Sequence, residues 1–151
     1  MPRCLNVSMI FLANDHAGYV LSSKLYEIMA NKYMNVKHLG CCSTTPTDYP
    51  LFAKRVADEL EHFSMFRGIL ICGTGQGMVM AANKYSWIRA GLCERSGQAR
   101  QIRQHSDANV LCLSGNLLTA EDAWPIVEAF LYTDASIEKR HVERRKMYSY
   151  A

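Results

Sequence analysis

Short apolar runs alternate with segments of helical periodicity along most of the chain. The clearest run is Ile69-Leu70-Ile71, whose short length and β-branched residues are typical of a buried strand. By the same criteria we predict four further strands, at Ser8–Ala13, Val36–Leu39, Ile88–Cys93 and Asn109–Leu113. Each of these four apolar runs is ended by the polar residue or glycine that directly follows it.

Helices are predicted between and after these strands. Pro50 suits the first turn of one of them, and Thr119 with Asp122 forms the capping-box pattern before another. The remaining helices are predicted at Met78–Lys84, Gly97–Gln104 and Glu138–Lys146. Three helices have apolar faces at helical spacing: Leu21, Leu25, Ile28 and Met29; Phe52, Ala53, Val56, Ala57 and Leu60; and Ala123, Val127, Phe130 and Leu131.

Strands that alternate with helices indicate βαβ units and therefore a parallel sheet that is covered on both faces. The expected fold class is thus α/β. We find no internal repeat and no composition shift that would mark a boundary, so residues 1–151 are predicted to form a single domain.

Composition narrows the function further. The chain is 49% hydrophobic and 21% charged with a formal net charge of +3, which is typical of a soluble globular protein and too small to indicate a nucleic-acid partner. The apolar stretch Met9–Ala13 is too short for a signal peptide, and we expect no membrane partner. Six cysteines without C-x-x-C or zinc-ligand spacing are predicted to be free thiols of a reducing cytoplasm: Cys4, Cys41, Cys42, Cys72, Cys93 and Cys112.

A glycine-rich loop, Gly73-Thr74-Gly75-Gln76-Gly77, follows the central strand. Loop amides and a helix N-terminus beside a strand end form a pocket for negative charge, either a bound anion or charge that develops during a reaction. Cys72 stands at the lip of this pocket, where a thiolate is favoured and can act as base or nucleophile. The alternatives are a cysteine that only packs and a tight turn that binds no ligand.

A nucleotide-binding module is a second interpretation of the same loop. The third glycine, Gly77, comes one residue too early for the G-x-G-x-x-G fingerprint. Glu94, about twenty residues further on, nevertheless stands where a ribose-binding acid is expected. This alternative therefore stays open.

Further polar residues follow other predicted strands. Asp15-His16 is either a plain loop or an acid–base pair. Because the carboxyl ends of parallel strands share one edge of a sheet, Asp15-His16, Cys72–Gly77 and Glu94 are expected to meet there.

The basic residues late in the chain are ambiguous. His105 lies on a polar helix, for which periodicity alone favours a solvated basic face. Arg140 and Arg144 are four residues apart and share a helix face, so they either clamp a phosphate or form a solvated basic end.

Seven stretches, taken together and in this order, resemble ribose-5-phosphate isomerase type B and its sugar-phosphate isomerase relatives. They cover nearly the whole chain: NDHAG at 14–18, DYPLFAKRVA at 48–57, GILICGTGQGM at 68–78, AANK at 81–84, IRAGLC at 88–93, QHSDANVLCL at 104–113 and the Arg140/Arg144 pair. The resemblance implies a three-layer Rossmann-like sandwich on a five-stranded parallel sheet. It also implies a cytoplasmic homodimer whose C-terminal helix reaches the partner subunit, with a tetramer left open.

The resemblance implies reversible conversion of D-ribose 5-phosphate to D-ribulose 5-phosphate without a metal or other cofactor. Cys72 matches the base that moves a proton between C1 and C2, with Thr74 helping to orient it, and His105 matches the residue that opens the furanose ring. The enediolate oxygen is held by the backbone of Gly73, Thr74, Gly75, Gln76 and Gly77. The other implied contacts are Asp15, His16 and Ser106 for the substrate and Arg140 and Arg144 for the phosphate, which meet His16 only across the dimer.

Four positions qualify this reading. One family branch uses a glutamate as the base at the position of Met78. Because methionine cannot act as a base, Cys72 is the only candidate here. Ser106 stands where an asparagine is usual, Asn116 where an arginine is usual, and Arg95-Ser96-Gly97 replaces a segment that often carries an aromatic residue. These departures bear on affinity and sugar preference, so an isomerase of allose or galactose 6-phosphate is the alternative within the family.

Overall fold

Five strands and six helices alternate along residues 4–150, the part of the chain that the computed structural model describes. The strands are β1 (Met9–Asn14), β2 (Val36–His38), β3 (Phe66–Cys72), β4 (Ala90–Leu92) and β5 (Val110–Ser114). The helices are α1 (Tyr19–Asn31), α2 (Tyr49–Leu60), α3 (Gln76–Ala82), α4 (Ser96–Ser106), α5 (Ala120–Tyr132) and α6 (Lys139–Lys146). The predicted domain also includes residues 1–3 and 151, which lie outside the described residues.

The strands form one parallel sheet in the order β2-β1-β3-β5-β4. Crossovers towards β4 run over one face through α2 and α3, and crossovers towards β2 run over the other through α1 and α4, as right-handed βαβ units require. The direction of winding reverses between β1 and β3, where Asn14 pairs with Ile71. Ligands bind at such a reversal, at the carboxyl ends of the strands. The predicted five-stranded parallel α/β fold is confirmed.

The alternation of side chains along the central strand explains why both faces are covered. Ile69 and Ile71 pack with α1 and α5, whereas Leu70 and Cys72 pack with α2 and α3. The predicted apolar face of α2 is buried throughout. The predicted apolar face of α1 also packs against the core, where Ile28 is partly buried. Ser22, which the prediction did not include, is fully buried.

Strand β4 is shorter than the predicted Ile88–Cys93, although Arg89 and Cys93 on either side of it still form backbone hydrogen bonds with β5. Side-chain amides also bind the backbone near its start. On the open edge, Asn83 accepts from the Ala90 N–H at 2.8 Å and donates to its carbonyl at 3.0 Å. Asn109 accepts from the Arg89 N–H at 2.7 Å. These bonds satisfy the backbone of an edge strand without a further neighbouring strand.

Two helix starts illustrate what local sequence can specify. The capping box before α5 is confirmed, since Thr119 and Asp122 exchange side-chain to backbone bonds of 3.2 Å in both directions. Helix α3 begins at Gln76, two residues before the predicted Met78, because a left-handed turn at Gly75 (φ 79°) directs the chain into the helix at once. Within residues 4–150, no helix combines the length and apolarity that crossing a membrane needs.

Candidate active site

The glycine loop surrounds the thiol of Cys72 with backbone amides. Cys72 ends β3 and is buried, and its Sγ accepts a hydrogen bond from the Gly75 N–H at 3.2 Å. Gly75 needs its left-handed backbone, and a Cβ there would lie 2.5 Å from Leu92 Cδ1. The Gly75 amide therefore provides a hydrogen-bond donor aimed at the sulfur, and the loop holds the side chain of Cys72 in one place.

The first amides of α3 have no acceptor within the helix. The Gln76 N–H donates to Thr74 Oγ1 at 3.3 Å, and the first bond within the helix runs from the Val79 N–H to the Gly75 carbonyl. The N–H groups of Gly77 and Met78 therefore come before Val79, whose N–H is the first to bond within the helix; Gly77 is partly exposed, whereas Met78 is fully buried. In this structure Thr74 binds the loop backbone, whereas the thiol is bound by Gly75.

The predicted pair Asp15-His16 lies beside Cys72, at the reversal between β1 and β3. The Asp15 N–H donates to the Ile71 carbonyl at 3.2 Å, and Asp15 Oδ1 accepts from the Gly18 N–H at 3.0 Å. Asp15 is buried, and the first bond fixes its backbone while the second holds its carboxyl group. It is therefore held at the crevice without help from a ligand.

Thr47, which sequence reasoning gave no role, orients His16. Its N–H donates to His16 Nδ1 at 3.0 Å, and its Oγ1 accepts from the His16 N–H at 3.1 Å. Because Nδ1 accepts, the neutral imidazole carries its proton on Nε2, which can donate to a substrate oxygen. The position of Thr47 thirty-one residues away in the chain explains why no local signal indicated it.

The loop after β5 completes this edge of the sheet. The Gly115 N–H donates to the Cys72 carbonyl at 2.8 Å, and Ser114 Oγ and the Asn116 N–H donate to the Gly73 carbonyl at 2.7 and 3.0 Å. The side chain of Asn116 lies against Gly73. We call the resulting group the carboxyl-edge cluster; it comprises Asp15, His16, Cys72–Gly77 and Asn116.

Glu94 is at the same edge, as predicted, but farther along it. It follows β4, and β5 separates β4 from β3, which corresponds to about 10 Å across two strand spacings. Its N–H donates to Gln98 Oε1 at 2.7 Å at the start of α4. The acid of a dinucleotide site lies on the strand next to the glycine loop, so this arrangement gives the nucleotide-binding module no support.

The remaining predicted residues lie at the opposite edge of the sheet. His105 and Ser106 end α4, just before the chain enters the amino end of β5 at Val110. Cys72 pairs with Ser114 at the other end of β5, about 13 Å away along a five-residue strand. Helix α6, which carries Arg140 and Arg144, contacts α4. We call His105, Ser106, Arg140, His141 and Arg144 the amino-edge cluster.

His141 joins this cluster although sequence reasoning gave it no role. Its ring stacks on His105, with centroids 4.2 Å apart and planes inclined by 11°. Burial, with smaller effects from His105 and Arg140, lowers the pKa of His141. A neutral, buried ring is a rigid surface against which His105 is held. The only local signal is that His141 directly follows Arg140.

The two predicted phosphate ligands, Arg140 and Arg144, have long side chains that are exposed. Arg140 Nε lies 2.9 Å from Glu138 Oε2, and Arg144 makes no ion pair with any residue in the described part of the chain. Arg145 instead donates to the Ser136 carbonyl at 2.8 Å and to Gln104 at 3.3 Å, which fastens α6 to α4. A cavity of about 910 Å³ opens beside Ser106.

Comparison with known proteins decides the family. A sequence profile described as Ribose/Galactose Isomerase matches residues 10–148. The chain belongs to the ribose/galactose isomerase family. It is 38% identical over 117 residues to a protein of Escherichia coli named ribose-5-phosphate isomerase B, an alignment that covers 78% of each chain.

Solved structures of family members have the same fold. A ribose 5-phosphate isomerase of Thermotoga maritima superimposes with a TM-score of 0.91 at 38% identity, covering 95% of this chain and 99% of the other. Ribose-5-phosphate isomerase B of Mycoplasma genitalium with bound ribulose-5-phosphate gives 0.88 at 40% identity, covering 95% and 97%. The predicted family, and with it the class of aldose–ketose isomerase, is confirmed.

Proposed function

We propose that this chain interconverts D-ribose 5-phosphate and D-ribulose 5-phosphate. The relatives in Escherichia coli and Mycoplasma genitalium carry that activity in their names, and the second was solved with the ketose product. The observation on which the proposal depends most is the Cys72 thiol at the β1/β3 crevice, with the Gly75 N–H 3.2 Å from its sulfur. A buried thiol bound in this way is suited to remove a proton from carbon.

Cys72 is the proposed base. Its thiolate takes the proton from C2 of the open-chain aldose, the C2–H electron pair forms the C1–C2 double bond, and the carbonyl oxygen at C1 becomes the enediolate oxygen. The same thiol then returns the proton to C1, and the hydroxyl proton of O2 ends on O1. The acidity of such a C–H is low, so a fixed base and amide donors at the oxyanion are both needed. Thr74 acts by holding the loop that supplies these amides.

A complete site needs a second copy of the chain. His105 is proposed to open the furanose ring, and Arg140 and Arg144 to bind phosphate, yet these groups lie at the edge of the sheet opposite Cys72. Two copies related by a two-fold axis can bring the amino-edge cluster of each against the carboxyl-edge cluster of the other. This supports a homodimer with two shared sites, in which α6 reaches the partner.

The remaining contacts follow from donor and acceptor types. Asp15 is fixed by backbone as an acceptor for a sugar hydroxyl, and His16 offers an Nε2–H donor. Ser106, beside the cavity at the amino edge, is a shorter hydroxyl contact from the partner copy. Asn116 offers an uncharged amide next to Gly73, which places the positive charge for phosphate on the arginines of the partner copy.

The test is turnover of purified chain with ribose 5-phosphate, allose 6-phosphate and galactose 6-phosphate, with a parallel preparation of Cys72→Ala to reveal any contaminating isomerase. We expect kcat/KM for the pentose to exceed that for either hexose by about tenfold or more, because an added carbon must be accommodated in a pocket formed for five. A hexose preference would reassign the substrate. A folded protein that isomerises none of the three would overturn the proposal and reopen the nucleotide-binding module.

A further inference from the structure

A fully buried amide side chain, that of Asn14, ends strand β1 directly before the Asp15-His16 pair. Its Nδ2 donates to the Asp15 carbonyl at 3.0 Å and to the Cys41 carbonyl at 3.3 Å, and it lies 3.3 Å from Cys41 Sγ. Gly40 leaves the space that this side chain fills, since a Cβ there would overlap it. The amide therefore joins the loop that carries two site residues to the loop that follows β2.

His38, which the proposed mechanism does not use, fixes the orientation of this amide. Its Nε2 lies 2.7 Å from Asn14 Oδ1 and 3.3 Å from Ser22 Oγ, and the ring meets Tyr26 edge-on. An amide oxygen only accepts, so His38 Nε2 carries the proton. If this donor were absent, Asn14 could rotate its amide and withdraw Nδ2 from both loops.

We propose that His38 is a positioning residue for the candidate site, acting through Asn14 on Asp15 and His16. The bonds to Asp15 and Cys41, together with the bonds between His16 and Thr47, tie the β1 loop to residues 41–47 at two points. Loss of the first tie leaves His16 held by Thr47 alone, on a loop that is itself less restrained. The effect on substrate rests on the proposed function, whereas the effect on the loops does not.

Two substitutions of matched chemistry test the proposal. His38→Gln keeps an amide N–H near the position of Nε2, and His38→Asn has the same group but cannot reach Asn14. His62→Asn is the control, because that ring is exposed beyond the end of α2. Circular dichroism and thermal unfolding establish that each variant is folded before it is assayed.

The kinetic readout is the division of the effect between KM and kcat. We expect His38→Asn to raise KM for ribose 5-phosphate about fivefold with kcat within about twofold, as for the loss of one buried hydrogen bond that positions substrate contacts. His38→Gln should restore most of the affinity, and His62→Asn should match the wild type. An unchanged KM in folded His38→Asn would overturn the proposal, as would equal defects in the Asn and Gln variants.

Thiol labelling gives a readout that does not depend on isomerisation. Cys41 is partly buried and bound to Asn14, whereas the next residue, Cys42, is exposed and serves as an internal reference. We expect iodoacetamide to modify Cys41 about fivefold faster relative to Cys42 in His38→Asn, but not in His38→Gln, when peptides are quantified by mass spectrometry. An unchanged ratio of the labelling rates of Cys41 and Cys42 would contradict the proposed tie between the loops. If the wild type is inactive, the proposed function fails while this labelling result still decides the positioning role.

Discussion

The two edges of the sheet hold their polar residues in different ways. At the carboxyl edge, Asp15 and Cys72 are buried and bound by backbone N–H groups of their own or neighbouring loops. At the amino edge, Arg140 and Arg144 are exposed side chains on a terminal helix. The first arrangement is fixed by the backbone of the chain, whereas the second leaves two guanidinium groups exposed, with Arg140 beside the equally exposed Glu138.

In the proposed function, this difference corresponds to two tasks, which are proton transfer at the carboxyl edge and phosphate binding at the amino edge. Proton transfer needs a base within a few tenths of an ångström of its place, which loop backbone can provide. Phosphate binding tolerates long, mobile cations, because the attraction between charges falls slowly with distance. Loss of the base at the carboxyl edge should therefore lower kcat, whereas a weakened substrate contact there should mainly raise KM. Changes at the amino edge should raise KM or block ring opening.

The largest expected effect comes from removing the base. Cys72→Ala should lower kcat by about 10³-fold, the usual contribution of a positioned general base, while the fold is retained. The control is Cys112→Ala on the neighbouring strand, because burial raises the pKa of the Cys112 thiol well above its ordinary value and keeps it an inert packing group. Steady-state assays measure kcat for both variants, and thermal unfolding establishes that both are folded. Substantial turnover by Cys72→Ala would remove the cysteine-base mechanism and the contrast between the edges.

Mixing two inactive variants tests whether the edges meet across copies. Cys72→Ala and His105→Asn each damage one edge, so a dimer that contains one of each has one site with both edges intact. After dissociation and random reassociation of equal amounts, about a quarter of wild-type activity should return, because half of the dimers are mixed and each has one good site. Activity that does not rise above the sum of the separate variants would contradict a shared site.

Ring opening gives a smaller and more selective effect. His105→Asn should slow turnover of cyclic ribose 5-phosphate about 10²-fold while affecting open-chain ribulose 5-phosphate much less, because only the aldose must be opened. The substitution does not change the equilibrium constant between the two sugar phosphates. The two directions can still differ in rate, because the aldose ring also opens and closes in solution without the enzyme. Initial rates in both directions measure the selectivity, with His62→Asn as the matched surface control. Equal losses for aldose and ketose would count against this role.

The smallest expected effects concern phosphate binding. Arg140→Ala should raise KM about tenfold with little change in kcat, whereas Lys146→Ala on the same helix should leave KM as it is. Glu138→Gln should lower KM about twofold. In the wild type, Arg140 must leave the Glu138 carboxylate, 2.9 Å away, before it binds phosphate, and the variant removes that competing ion pair. Steady-state kinetics over a range of salt concentrations checks these changes. An unchanged KM in Arg140→Ala would end the phosphate assignment for that residue.

Local sequence specified most of the fold. The apolar face of α2, the capping box before α5 and the order of strands and helices are periodic or short-range features, which one segment can encode by itself. The errors concern where individual elements begin and end. Strand β4 is shorter than predicted, and near its start the side chains of Asn83 and Asn109, which come from other segments, bind its backbone and that of Arg89.

The candidate site was only partly accessible to such reasoning. Cys72 and the glycine loop are contiguous, so their relation was visible in the chain, and the family resemblance supplied roles for His105 and the arginines. Thr47, His38 and His141 carried no comparable signal. Each contacts a partner that is remote in sequence, and such a contact exists only after the whole chain has folded.

The sequence by itself determined a parallel α/β sheet with a cysteine at the mouth of a glycine loop, because periodicity and loop composition are local properties. Only the tertiary structure decided that Asp15 lies beside that cysteine while His105 and Arg144 lie a full strand length away. Strand order and the antiparallel return of α4 set those positions, and both are outcomes of packing the whole chain. The physical reason is that hydrogen-bond partners and distances across a sheet depend on which strands become neighbours, which no single segment encodes.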